Sequence, residues 1–234
     1  MKARIKFRKY GAMRFVGHLD VMRFFQKAMR RAKIPIAFTG GYSPHMIMSF
    51  ASPLGIGLTS DGEYFDIELT EPIAGAEAVR RLNQVSVEGI EILSFRSIAD
   101  EKKMTGMAIL AAADYLTYVQ KGAFPVQWQK QFSSFLSQEK IWALKQTKRK
   151  TEEIDIRSLI YETGIRKDSI YLQLAAGSTE NLKPELVMET FVRFLGVPSD
   201  SITFCYHRSE MYANTGSAES RNLVTLESLG QEIL

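Results

Sequence analysis

Two histidines and one carboxylate in the N-terminal part of the chain are of the residue types that acid–base chemistry or metal binding requires. His18 and Asp20 lie at the start of a predicted helix, and His45 lies in a loop further along the chain. In one interpretation the two imidazoles act as general acid and base on an RNA or nucleotide phosphate. Two His and one carboxylate are also metal ligands, but residues two positions apart on a helix do not share a face, so no metal site is expected. The alternative is local: Asp20 favours the helix N-terminus through the helix dipole, and His18 packs or forms a hydrogen bond beside it.

Basic residues are concentrated in the same part of the chain. The first fifty residues contain eleven Lys or Arg and one acidic residue, a net charge of +10, whereas the remaining 184 residues carry −6. Four of the cations recur at helical spacing and share one face of the predicted helix: Arg23, Lys27, Arg30 and Arg31. Five more add to the same field: Arg4, Lys6, Arg8, Lys9 and Arg14. Such segregation favours an anionic partner, because each phosphate contact releases counterions. The alternative is a solvated helix face whose last cations offset the helix dipole.

A long segment rich in Gly, Ser and Pro, residues 40–62, is predicted to be a functional loop. It is longer than a connection inside a compact domain needs, and its aromatic and apolar content argues against disorder. Tyr42 and Phe50 are expected to stack on bases, and Ser49 is placed with them in the ligand-binding set. No Walker or dinucleotide-binding glycine pattern is present, so a phosphate loop is not predicted.

The elements that must position these residues follow from the hydrophobic pattern. Residues 2–9 alternate outward basic residues with inward apolar ones, which predicts a strand. The helix is predicted over 18–33 and is ended by Pro35. Strands over 36–39, 63–69 and 89–95 and a helix over 74–85 complete the order β-α-β-β-α-β, which is the split βαβ or ferredoxin-like pattern.

The second half of the chain repeats nearly the same order with one extra strand. Strands are predicted over 114–120, 140–147, 154–162, 169–175 and 202–206, with a turn at 148–150 and helices over 125–136 and 184–195. The predicted fold is therefore α+β, with two tandem ferredoxin-like units. The predicted domains are residues 1–97, a linker at 98–111, a second domain at 112–212 and a polar, mobile tail at 213–234.

The composition excludes several classes of protein. The only cysteine, Cys205, cannot form an internal disulfide and cannot hold a multi-cysteine metal or iron–sulfur site, so no cofactor is expected. No apolar run approaches the ~20 residues that span a bilayer. The N-terminal residues alternate charged and apolar side chains, so we expect neither a signal peptide nor membrane association, and we expect a cytoplasmic location.

Several longer motifs resemble a known bacterial family. They are Arg14–Asp20, Arg30–Ala32 with Pro35, Gly41–His45, Ser49–Ala51, Pro53–Leu54 and Gly62–Asp66. These motifs look like the radical-SAM-associated domain of unknown function, which occurs alone or attached to the C-terminal side of a radical SAM protein. The resemblance is strong over about residues 1–95 and weaker to about residue 212. One departure is Met46–Met48, where the family has another Pro or a basic residue after the His.

The resemblance implies a partner but no established activity. It implies association with radical SAM proteins, and the family's occurrence near ribosomal protein and ribonuclease genes points to RNA. It assigns no catalytic residue, so none is carried over. With one cysteine the chain lacks the three that hold a radical SAM cluster, so it would be an accessory to such chemistry.

Three functions remain open at this level. The first is an accessory or binding protein, not an enzyme, that holds RNA or another phosphate-bearing ligand on its basic N-terminal domain. The second is a metal-independent acid–base enzyme that uses His18 and His45, with Arg14, Arg30 or Arg31 stabilising the developing charge; it requires the two imidazoles to meet in one open cleft. The third is a protein–protein adaptor for a radical SAM enzyme, which predicts an exposed apolar patch formed by Met46–Met48.

Overall fold

The computed structural model describes residues 1–146 and 150–234. These residues form two units, one made of Met1–Ala112 together with Arg208–Leu234 and the other of Ala113–His207. The strand predicted over 140–147 and the turn predicted at 148–150 lie partly outside the described residues, which do not include Thr147, Lys148 and Arg149.

The N-terminal part of the first unit alternates strands and helices as predicted, except that its second strand lies inside the segment 40–62 that was predicted to be a loop. It contains β1 (Lys2–Lys9), α1 (His18–Arg31), β2 (Met48–Phe50), β3 (Thr59–Glu68), α2 (Gly75–Val85) and β4 (Ile90–Ile98). β1 lies between β3 and β4 and is antiparallel to both, and β2 is antiparallel to β3. The strand predicted over 36–39 is reduced to isolated bridges at Ile36 and Phe38.

α1 forms because its apolar residues recur at helical spacing and bury one face of the helix. The buried residues are Val21, Phe25, Ala28 and Met29. The ring of Phe25 lies 4.7 Å from that of Phe7 on β1 and 4.6 Å from that of Phe65 on β3, measured between ring centroids. The helix ends at Arg31, two residues earlier than predicted, because Lys33 has a φ of 53°, which a right-handed helix does not contain.

The last residues of the chain belong to the first unit and are not the mobile tail that the sequence predicts at 213–234. β11 (Leu223–Thr225) pairs with β10 (Thr203–Asn214), and β12 (Gln231–Glu232) pairs with β4. Leu226 is fully buried, and burial of a leucine contributes about 1.5–3 kcal/mol. Polar composition suggested mobility, but a few apolar residues and two short strands are enough to fix this segment.

The boundaries at 97 and 111 also differ in the structure. The predicted linker contains the short helix α3 (Gly106–Ile109), and the backbone N–H of Gly106 donates a hydrogen bond of 2.6 Å to Asp66 on β3. The first unit therefore continues to Ala112 and resumes at Arg208. Gly62 on β3 permits the return of the chain, because a Cβ at that position would lie 2.7 Å from the Cα of Glu210 on β10.

The second unit has one hairpin more than a simple repeat of the first. Its elements are most of β5 (Leu110–Lys121), α4 (Trp128–Leu136), β6 (Trp142–Gln146), β7 (Thr151–Asp155), β8 (Ile160–Ile165), β9 (Ile170–Ala175), α5 (Pro184–Phe194) and the first residues of β10. The strand order is β10-β5-β9-β8, and β6 pairs separately with β7. The single strand predicted over 154–162 is wrong, because a 3₁₀ turn at Arg157–Leu159 divides it between β7 and β8. The α+β class is confirmed.

Candidate functional site

Four of the five charged residues of β1 are paired with acids within the protein. Arg4 lies directly opposite Asp66 on β3 and is 2% exposed. Its Nε and Nη2 atoms donate to the two carboxylate oxygens at 2.8 and 3.0 Å. The same guanidinium donates to the backbone carbonyls of Leu226 and Met104. The expectation that this cation faces solvent is wrong, because segments distant in sequence cover it.

Lys6, two residues further along β1, is also neutralised by the end of the chain. Its Nζ lies 2.7 Å from Glu210 and 3.0 Å from Glu227, and Tyr64 donates a hydrogen bond of 2.6 Å to Glu210. Burial lowers the pKa of Lys6, but the hydrogen bonds and charges of the two glutamates outweigh it, so the pKa is raised. Lys6 is therefore a charged, structural residue.

Arg8 completes the pattern in a more open position. Its guanidinium pairs with Asp61 at 2.7 Å and with Glu91 at 3.2 Å, and about two fifths of the side chain is exposed. Lys2 likewise lies 3.8 Å from Asp100. The charge of β1, apart from that of Lys9, is thus compensated in the fold by acids from elsewhere in the chain.

The cations of α1 remain available. We call Arg23, Lys27, Arg30 and Arg31 the basic face; all four are exposed. Arg23 pairs with Asp20 at 3.1 Å, but both side chains are about two thirds exposed, so this pair contributes little. Lys27, Arg30 and Arg31 have no ion-pair partner among the described residues. Asp20 lies in the first turn of the helix and is separated from the pocket described next.

A small pocket lies at the N-terminal end of α1, and we call it the Lys9 pocket. Its charged or polar lining residues are Lys9, His18 and Glu63. The remaining wall is apolar and consists of Phe7, Val21, Phe50, Pro53 and Leu54. Lys9 is 2% and Glu63 is 3% exposed. Charged side chains are almost never buried to this degree without a partner, so the partners of Lys9 and Glu63 determine what the pocket can do.

Strand alternation explains why Lys9 and Glu63 line the same pocket. Lys9 is in phase with Ala3, Ile5 and Phe7 on β1, so it lies on the side of the sheet that faces α1. Glu63 lies opposite Phe7 in the β1–β3 register and shares that side. On both strands, the row of buried apolar side chains that faces α1 therefore stops at a charged residue, Lys9 on β1 and Glu63 on β3.

Arg208, the first residue of the returning segment, neutralises Glu63. Its Nε and Nη2 atoms donate to the two oxygens of Glu63 at 2.8 and 2.6 Å, and Nη2 also donates to the carbonyl of Ser52 at 2.7 Å. Both side chains are 4% exposed. This bidentate geometry fixes the Glu63 carboxylate against Arg208, and Lys9 has no ion-pair partner among the described residues.

Burial governs the protonation of the two bases in the pocket. It lowers the pKa of the Lys9 ammonium; the charge of Glu63 opposes this effect and that of Arg208 adds to it. Burial also lowers the pKa of His18; the charge of Glu63 opposes this effect, and the charge of Lys9 adds to it. His18 is therefore neutral at pH 7, and its ring packs edge-on against Phe50 at 4.9 Å between centroids.

The structure does not unite His18 with His45. His18 is the first residue of α1 and lines the Lys9 pocket, whereas His45 is exposed in the loop. The Nδ1 atom and the backbone N–H of His45 both lie 3.1 Å from the hydroxyl oxygen of Thr39. The acid–base pair that the sequence suggested is therefore not assembled.

The remaining predicted ligand-binding residues lie in different environments. Tyr42 is fully exposed, but Phe50 is 7% exposed and stacks on Phe65 at 5.1 Å, so its predicted stacking on a base is wrong. Ser49 is half-buried on β2. Arg14 is half-buried on a 3₁₀ turn, with its guanidinium 4.7 Å from the centre of the Phe15 ring.

The predicted apolar patch at Met46–Met48 is not formed. Met46 is 5% exposed, and Ile47 and Met48 are half-buried. The backbone of this segment is held by hydrogen bonds from Ile47 to Ala37 and from Glu68 to Ile47. These residues are apolar because they pack into the core.

Sequence reasoning missed Lys9, Glu63 and Arg208 as site residues. A signal for the first two existed, because each continues the buried phase of an alternating strand with a charge. No local signal marks Arg208, which is 145 positions from its partner in sequence.

Among residues 1–146 and 150–234, no group of three or more His, Cys, Asp or Glu side chains is placed to hold a metal ion. Within the same ranges, no helix is both long and apolar enough to cross a membrane.

Comparison with known proteins gives a family but no activity. The family model described as "Uncharacterized protein conserved in bacteria (DUF2344)" matches residues 2–184. Comparison with curated proteins gives no significant match. Among solved structures, the chain is similar to one titled "Crystal Structure of a Cbf5-Nop10-Gar1 Complex", with a TM-score of 0.48 and 10% identity over 89% of this chain. The chain spans about half of that longer chain, 48% of its length.

Proposed function

This chain belongs to the DUF2344 family of bacterial proteins, and we propose that it binds RNA through the basic face of α1. The observation that carries the proposal is the contrast between two sets of cations in the first unit. Those of β1 are paired with acids, except for the buried Lys9, whereas Lys27, Arg30 and Arg31 are exposed and have no ion-pair partner among the described residues. Three exposed and unpaired cations therefore lie together on one helix face.

The geometry of α1 suits a phosphate backbone. Arg23 and Arg31 are eight residues apart, which is about 12 Å along the helix axis. Four cations within that length would contact successive phosphates and release their counterions. Tyr42 is exposed and is the aromatic residue that we propose to stack on a base, with a contribution of about 1–3 kcal/mol.

The strand order of the two units supports RNA binding only by analogy with other RNA-binding proteins that contain tandem ferredoxin-like domains. We interpret each unit as a split βαβ. The strands lie in the order β4-β1-β3-β2 in the first unit and β10-β5-β9-β8 in the second, so in each set of four the first strand along the chain lies between the fourth and the third. Fold-level analogy does not assign a ligand, so the RNA proposal depends on the charges of α1.

A radical SAM protein remains the proposed protein partner. The resemblance of the N-terminal motifs implies it, but the apolar patch that an adaptor was expected to expose is not formed. We therefore propose RNA binding as the primary function and the protein partner as its context. Co-purification with a radical SAM protein encoded in the same bacterium would test that part.

The test of RNA binding compares two variants with the same change in charge. In the first, the four residues of the basic face are replaced by Ala. In the second, four exposed cations of the other unit are replaced by Ala: Lys121, Lys130, Lys167 and Arg193. Binding to tRNA and to total cellular RNA is measured at low salt. We expect the first variant to lose at least tenfold in affinity and the second to lose far less; equal losses would mean that only net charge matters and would refute the assignment.

A further inference from the structure

We propose that the Lys9 pocket is a binding site for a small oxyanion, either a carboxylate or a phosphate group, which Lys9 and His18 hold from one side. The site is separate from the basic face, because its charged residues Lys9 and Glu63 are buried on the sheet and none of the exposed cations of the helix lines it. The inference goes beyond RNA binding and does not depend on it.

The hydrogen bonds of Lys9 are incomplete. An ammonium group has three N–H donors, and among the described residues that of Lys9 makes one hydrogen bond, to the carbonyl of Val16 at 2.8 Å. No carboxylate of the described residues lies within 4.0 Å of its nitrogen. A buried charge without a counter-ion is strongly unfavourable, so a ligand that supplies the missing charge and acceptors would be bound.

Glu63 does not fill this role, although it lines the same pocket. Both of its oxygens accept hydrogen bonds from Arg208, so the pair is close to neutral as a unit. Lys9 then leaves one positive charge over in the pocket. That balance selects a group with a single negative charge close to Lys9.

The walls of the pocket set the size and the surroundings of the ligand. Phe7, Phe50 and Leu54 shield the charge from water, and this shielding strengthens an ionic hydrogen bond. The space beside Lys9 is about 10 Å³, comparable with one water molecule, and the pocket is partly open, so a single oxygen atom of the ligand would enter it and a nucleobase would not. The neutral imidazole of His18 offers one further donor or acceptor beside it.

The first experiment uses the wild-type chain alone. The thermal unfolding midpoint is measured with increasing sodium acetate or inorganic phosphate, and sodium chloride at matched ionic strength is the reference. A ligand that binds only the folded state raises the midpoint in a saturable way. We expect at least one of the two anions to do so at millimolar concentration. If neither exceeds chloride, the proposal is refuted.

The second experiment assigns the effect to the pocket. Lys9→Met removes the charge with little change in length, and Lys33→Met removes an exposed lysine as the control. Isothermal titration with the anion that stabilised the wild type should show at least a tenfold loss of affinity in the first variant and no change in the second. Unchanged binding in Lys9→Met would overturn the assignment.

Two comparisons distinguish the remaining interpretations: acetate against phosphate, and the variant without the basic face against Lys9→Met. A response to acetate alone indicates a carboxylate ligand, and a response to phosphate alone indicates a phosphorylated one. The variant without the basic face should keep its response to the anion. Loss of the response there, with Lys9→Met unaffected, would mean that the anions bind to α1 and would overturn the proposal for the pocket.

Discussion

The ion pair between Arg208 and Glu63 is one of the two fully buried ion pairs described in the first unit, and the other is Arg4–Asp66. Replacing Arg208 by Met keeps much of the side-chain volume but removes the charge. The carboxylate of Glu63, which is 3% exposed, then loses both of its charge-assisted donors, and the carbonyl of Ser52 loses a donor as well. Removal of one partner from a buried pair costs about 3–5 kcal/mol, a large part of a typical domain's total stability of about 5–15 kcal/mol.

Arg8 provides the matched control for this substitution. It also pairs with two acids, Asp61 and Glu91, but about two fifths of its side chain is exposed. Arg8→Met should therefore cost about 0–1 kcal/mol. A third variant, Arg208→Met combined with Glu63→Met, removes the stranded carboxylate and should recover most of the loss, because apolar replacement of a whole buried pair is often neutral.

Urea unfolding measures all three variants. With a slope of about 2 kcal/mol per molar urea, a loss of about 4 kcal/mol lowers the midpoint of the first unit by about 2 M. The reasoning is refuted if the Arg8 and Arg208 variants shift the midpoint equally. It is also refuted if the double variant is no more stable than Arg208→Met alone.

Three further predictions concern packing and the Lys9 pocket. Gly62→Ala should lower the stability by about 1–3 kcal/mol because its Cβ would meet the backbone of β10, whereas Gly40→Ala, which meets no atom within 4 Å, should change it little in the same urea assay. Lys9→Met should raise the unfolding midpoint at pH 7, because it removes a buried charge. Since the pKa of Lys9 is lowered in the folded state, the wild type should become more stable as the pH rises towards 10.5. The difference in stability between the variant and the wild type should therefore shrink over that pH range. Leu226→Ala should cost about 2–5 kcal/mol by calorimetry, and the exposed Leu234→Ala close to nothing; a small effect of the first would support the mobile tail that the sequence suggested.

Local pattern explains what the sequence could predict. α1 was placed within two residues because its apolar residues recur at helical spacing and Pro35 marks its end. The basic face was identified for the same reason, since helical spacing fixes which side chains share a side. β1 was also identified, because alternation over eight residues is a strong signal.

Contacts between distant segments explain what it could not predict. Alternation put Arg4 and Lys6 on one side of β1, but it carries no information on Glu210 or Glu227, which lie more than 200 positions away and cover that side. Leu226 stands in a polar segment with no periodic pattern, so its burial has no local signal. The sequence suggests that Phe50 is an aromatic residue of an open loop. In the structure it lies on β2, a strand of three residues, and packs in the core against Phe65.

The salt dependence of RNA binding tests the central claim most directly. The association constant for tRNA is measured from low to physiological salt for the wild type and for the variant in which the basic face is replaced by Ala. If each of the four cations contacts a phosphate, the slope of log K against log salt should be smaller in the variant by about 3, at about 0.7 per single-stranded phosphate contact. An unchanged slope, or no binding by the wild type at low salt, would contradict the account.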